Sequence, residues 1–89
     1  MVRRILEIKN EKGLHARASA KLVDIVEAFD AQAEIAKDGL SVSGDSIMGL
    51  LMLAASKGSF IEVHTTGADA DALADAIEKL VLDKFGEGA

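Results

Sequence analysis

Residues 33–46, AEIAKDGLSVSGDS, decide the fold. Ala33 and Ile35 alternate with Glu34 in the period-two pattern of a half-buried strand, and Leu40 to Ser43 resumes an extended pattern after Asp38-Gly39. Asp-Gly supplies the two positive φ angles of a tight type I′ turn, so the segment is a β-hairpin. Ser43-Gly44-Asp45-Ser46 then offers turn formers and a helix N-cap. The run Ile47 to Leu53, dominated by methionine and leucine with almost no β-branching, is expected as a short apolar helix.

Working outward, Leu22, Ile25, Val26 and Phe29 recur at i, i+3, i+4, i+7 with Lys21, Asp24 and Glu27 on the other side, an amphipathic helix of about 12 to 14 residues that starts near His15. Val2 to Lys9 is a strand that buries Leu6 and Ile8. Phe60 to Thr66 alternates again, Ile61, Val63 and Thr65 on one face and Glu62, His64 and Thr66 on the other. Asp69 and Asp71 lead a last helix with Leu73, Ile77, Leu80 and Val81 on one side. Lys79 and Lys84 lie in its C-terminal half, and Gly86 is the stop. Gly86 to Ala89 is expected as a frayed tail. The order is β-α-β-β-α-β-α. A single alternating sheet has one apolar side to cover, so the class is α+β, a two-layer open-faced sandwich with all three helices on one sheet face.

Eighty-nine residues suffice for a single domain, residues 1–89, since a second core needs about 50 residues of its own. The absence of cysteine excludes a disulfide framework and thiolate metal sites, and no other metal site or bound cofactor is expected. The longest uncharged apolar run, Ile47 to Ala55, falls far short of the roughly 20 residues that span a bilayer, and the first residues lack a signal-peptide core, so a cytoplasmic protein is expected.

A formal net charge of −5 argues against a nucleic-acid binder. Up to position 21, however, six basic residues stand against two acids, while the remainder carries four against thirteen. This electropositive island is either a solvated face or a landing site for an acidic partner or a phosphoryl group.

Only His15 and His64 would change charge near neutral pH in an unperturbed setting. His64, in mid-strand, is expected to be an ordinary surface residue. His15 lies at a loop-to-helix junction beside the first free N–H groups of the helix, an anion site, with Arg17 two residues on. The positive helix end disfavours imidazolium and leaves a lone pair available, a combination suited to phosphoryl transfer. By spacing alone, helix capping explains the same residue.

Gly13-Leu14-His15-Ala16-Arg17, followed by Gly44-Asp45-Ser46-Ile47-Met48-Gly49-Leu50-Leu51, resembles the HPr/NPr family, the histidine-containing phosphocarriers of the bacterial phosphoenolpyruvate-dependent phosphotransferase system. Asp38-Gly39, Lys57-Gly58 and Gly67-Ala68 extend the likeness along the whole chain. The resemblance implies an antiparallel sheet in the strand order 1-4-2-3. It implies that His15 receives a phosphoryl group at Nδ1 from phosphorylated enzyme I and passes it to a histidine of an enzyme IIA, with Arg17 as charge partner. Ser46 matches a serine that a dedicated kinase and phosphorylase modify in some branches, and it is also the N-cap of the second helix. The expected docking surface is Leu14, Ala18, Ala20, Lys21, Ile47, Met48 and Leu51, with Leu50 and Leu53 assigned to the core. The implied protein is a monomeric carrier rather than a stand-alone enzyme. The alternative is a regulatory-only module binding protein targets through Leu14, Ile47 and Met48. One departure stands out: where the family string usually continues Pro-Ala, this chain has Ala18-Ser19. Alanine keeps helix propensity and adds an N–H, but rate or partner choice, and the assignment to the sugar or the nitrogen branch, stay open.

Overall fold

The computed structural model describes residues 1–87. Strand β1 (Val2–Glu7) is followed by helix α1 (Ala16–Glu27), the hairpin β2 (Gln32–Lys37) and β3 (Leu40–Ser43), helix α2 (Ile47–Met52), strand β4 (Phe60–Thr66) and helix α3 (Ala70–Leu82). The sheet runs β1-β4-β2-β3 and every pairing is antiparallel, with Leu6 opposite Ile61, Val63 opposite Ile35, and Ile35 opposite Val42. Asp38 (φ 51°) and Gly39 (φ 85°) adopt the paired positive angles expected at the hairpin tip.

Period-two alternation places Leu6, Ile35, Ile61 and Val63 on one sheet face, where they meet Leu22, Val23 and Val26 of α1 and Leu73, Ile77 and Val81 of α3. Leu50 and Leu53 close the core from α2 and its end. Among the described residues the other face is left open. Arg4, half-buried on β1, reaches Asp75 (2.8 Å) and Glu78 (2.7 Å) and ties the edge strand to α3.

The C-terminal segment departs from expectation. Helix α3 ends at Leu82, and Lys84 (φ 53°), Phe85 (φ 55°) and Gly86 (φ 75°) turn left-handed in succession, so Lys84 lies beyond the helix and Gly86 is not its stop. A left-handed residue with a side chain costs roughly 1–2 kcal/mol. Complete burial of Phe85 offsets this by about 1.5–3 kcal/mol. The Lys21 ammonium also donates to the Phe85 carbonyl at 2.6 Å. Gly86 and Glu87 are therefore held in place rather than frayed, while Gly88 and Ala89 of the expected tail lie outside the described residues.

Candidate functional site around His15

The loop between β1 and α1 is a built turn. Asn10, fully buried, donates from Nδ2 to the Gly13 carbonyl at 2.8 Å, and the Gly13 N–H donates back to the Asn10 carbonyl at 3.2 Å. Gly13 has φ +64°, and a Cβ there would stand 2.3 Å from the Ala55 carbonyl oxygen, so the close approach to the segment after α2 requires glycine. Leu14 next donates its N–H to the same Ala55 carbonyl at 2.8 Å and buries its side chain. One residue later, the chain emerges and presents His15.

His15 is the N-cap of α1, an unusual residue in that role, with extended backbone angles. Its Nδ1 accepts the Arg17 backbone N–H at 3.3 Å, and its Nε2 meets the Glu87 carboxylate. A ring that accepts at Nδ1 carries its proton on Nε2, so the lone pair faces the helix start and the proton faces the carboxylate. The Nδ1 contact is long for a hydrogen bond, which leaves that lone pair only lightly engaged.

Glu87 is held below the ordinary carboxylate range by hydrogen bonds from His15 and Asn10, opposed by burial and assisted by the positive charges of His15, when protonated, and Lys12. The Asn10 donation to Glu87 Oε1 spans 2.9 Å. Sequence reading missed both residues. Asn10 had a signal, since asparagine at the first and glycine at the fourth position mark a turn. Glu87 had none, because only the left-handed turn at Lys84 and Phe85 carries it across to His15.

The electropositive island proves narrower than its count of charges. Arg3 pairs with Glu62 (2.6 Å), Arg4 with Asp75 and Glu78, Lys9 with Glu7 (3.5 Å), and Lys21 is committed to the Phe85 carbonyl. Among the described residues Lys12 and Arg17 have no ion pair, and both are exposed beside His15.

The expected docking surface is partly corrected. Leu14 (4% exposed) and Ala18 (0%) are core residues: the Gly13 turn drives Leu14 inward, and Ala18 lies on the sheet-facing side of α1 with Leu22. Ser19 is equally buried, its hydroxyl donating to the Leu14 carbonyl at 3.3 Å. Ala20 and Lys21 are half-buried. On α2, Ile47 (40%), Met48 (72%) and Leu51 (37%) are exposed, while Leu50 and Leu53 are buried. Met52, at 66%, extends this exposed row and was missed. Ser46 caps α2 by accepting the Gly49 N–H on Oγ at 3.0 Å.

A sheet in this order beneath three helices, with histidine opening the first of them, is the arrangement that the comparisons assign to a small phosphocarrier rather than a stand-alone enzyme. Residues 2–83 match the family described as "PTS HPr component phosphorylation site". The phosphocarrier protein HPr of Neisseria meningitidis serogroup A is 44% identical over 88 residues, covering 99% of each chain. The phosphocarrier protein NPr of Shewanella violacea is 43% identical, covering 97% of this chain and 94% of its own. The HPr-C-His crystal structure from Thermoanaerobacter tengcongensis superposes with a TM-score of 0.93 at 37% identity over 98% of each chain. A crystal structure of an HPr dimer from the same organism matches with a TM-score of 0.78. This chain belongs to the HPr family of phosphotransferase-system phosphocarriers. Among the described residues no helix is long and apolar enough to cross a membrane.

Proposed function

We propose that His15 is the carrier residue, taking a phosphoryl group from phosphorylated enzyme I and yielding it to a histidine of an enzyme IIA. The observation that carries this reading is the orientation of the ring, with Nδ1 turned toward the N-terminus of α1 and the proton-bearing nitrogen turned away. In the transfer, the Nδ1 lone pair forms the new N–P bond while the donor's N–P bond breaks and its electron pair returns to the donor nitrogen. The incoming phosphoryl oxygens face the Arg17 N–H, the helix dipole and the Arg17 guanidinium, which share the charge. Return transfer reverses the same steps. Little is asked of the protein beyond positioning.

Ser46 is proposed as a regulatory site. Phosphate there adds about −1.5 to −2 charge to the end of a helix whose exposed row, Ile47, Met48 and Leu51, forms the proposed docking face with Ala20 and Lys21. Repulsion and desolvation at that face, rather than a change of fold, are the means by which phosphate at Ser46 would inhibit docking. The regulatory-only reading rests on the same exposed row, and binding that survives His15→Ala in a chain that no enzyme I phosphorylates is its signature.

The test is incubation with enzyme I, Mg²⁺ and phosphoenolpyruvate. His15 is expected to acquire an acid-labile phosphoryl group. A chain that stays unlabelled beside a labelled carrier overturns the proposal.

A further inference from the structure

The C-terminal strap carries a second role for the site. Three consecutive left-handed residues turn the chain back after α3, and the strap is pinned by the buried Phe85 ring, by Lys21 on the Phe85 carbonyl and by Asn10 on the Glu87 carboxylate. Strain held this firmly marks a segment placed for a purpose. Its product is the position of one carboxylate against His15 Nε2. Asn10 supports the same reading. Its Nδ2 serves both Gly13 and Glu87, while its Oδ1 is buried with no partner among the described residues, a cost of about 1–3 kcal/mol that the Glu87 contact helps offset.

We infer that Glu87, oriented by Asn10, is a positioning residue that holds His15 in the tautomer bearing its proton on Nε2 and balances the positive charge the ring gains as Nδ1 takes up phosphorus. The inference rests on the phosphocarrier reading for its kinetic consequence but not for its structural one. No proton leaves the ring during transfer: the N–P bond forms at Nδ1, and the Nε2 proton stays shared with the carboxylate. Glu87 occupies the ring edge away from the phosphoryl-accepting nitrogen, so the incoming anion meets Arg17 rather than the carboxylate. The arrangement parallels the carboxylate that orients an imidazole in acyl-transfer triads, with the nucleophile now the imidazole itself.

Nitrogen-15 NMR of the unphosphorylated full chain reads the tautomer directly. In the wild type, neutral His15 is expected to show a single dominant tautomer with the proton on Nε2. Glu87→Ala is expected to move both ring signals toward the average of the two tautomers, whereas Glu87→Gln, whose amide oxygen still accepts the Nε2 proton, retains the wild-type pattern. Both variants are expected to lower the maximal rate of phosphorylation by enzyme I, by about 10- to 100-fold for Glu87→Ala, with the half-saturating concentration unchanged. Asn10→Ala is expected to shift the tautomer in the same direction as Glu87→Ala. Unchanged His64 signals report an intact fold in each variant. Wild-type ring signals in Glu87→Ala overturn the inference, as does an unchanged maximal rate. If the tautomer shifts but the wild type accepts no phosphoryl group, the positioning role stands and the carrier reading falls.

Discussion

Among the described residues there are two histidine–glutamate pairs, and one of them stands at a helix start. His15 meets Glu87 across 72 residues of chain, and His64 meets Glu62 two residues away on β4 at 2.5 Å. Burial does not separate them, since the imidazole side chains are 26% and 29% exposed. Their backbones do. His64 lies on a strand paired on both sides, opposite Arg3 and Glu34, so its neighbouring amides belong to the ladder. His15 sits where a helix begins, and helix-start amides have no intrahelical partner. The cations differ as well: Arg3 is spent on Glu62, whereas Arg17 has no ion pair among the described residues. On the proposed reading, a carboxylate on an imidazole is therefore not what makes a phosphoryl site. Helix-start donors beside the other ring nitrogen are.

That contrast is broken most directly by removing each ring in turn. His15→Ala is expected to abolish acid-labile labelling by enzyme I, and His64→Ala to leave its initial rate within about twofold. Loss of labelling in His64→Ala with retained thermal stability would show that the open sheet face takes part. Next in size is Gly13→Ala, where a left-handed φ and a collision with the Ala55 carbonyl combine. A loss of about 2–4 kcal/mol is expected, and thermal unfolding should show it as a midpoint lower by roughly 10–25 °C. The His15 ring signals should shift with it, and those of His64 should not. Gly39, also left-handed but with open space around its missing Cβ, is the control: alanine there is expected to cost only about 1 kcal/mol. Equal losses at the two glycines would remove the case that the Gly13 turn is what presents His15.

The sequence made the frame readable because its signals are local. Asp38-Gly39 specifies a turn whose two angles are both positive, Ser46 caps α2 as its residue type suggests, and the Ile61, Val63 and Thr65 face points inward. Adjacent apolar residues at a loop end were harder. Nothing in Gly13-Leu14-His15 says which of them turns inward until the Gly13 backbone is placed, and Leu14 was assigned to the surface for that reason. Ala18 was misplaced likewise, because alanine carries too little apolar area to mark the buried side of a helix. The C-terminal strap is a different failure. Val81 and Phe85 are spaced as a continuing helix would space them, and propensity does not anticipate left-handed angles at Lys84 and Phe85. Hence Glu87, in contact with the His15 ring, was the residue of the candidate site least visible beforehand.

The smallest expected effect concerns the pair on β4. Hydrogen bonds from Arg3 and His64, reinforced by their charges, push the Glu62 carboxyl from its ordinary value near 4.5 down to about 2. A carboxyl depressed in the folded state contributes stability above its unfolded pKa and loses that contribution as pH falls toward the folded one. The loss should therefore run from about pH 4.5 to about pH 2, and Glu62→Gln should have a shallower fall in unfolding midpoint across that window, the two curves converging at its acid end. The difference will be modest, because the partners stand on the open sheet face where water screens them. Parallel curves would mean that Glu62 is not held by its partners in solution. In either case labelling at His15 should not change, because Glu62 contacts Arg3 and His64, which lie on strands β1 and β4 rather than at the start of α1 where the proposed transfer takes place.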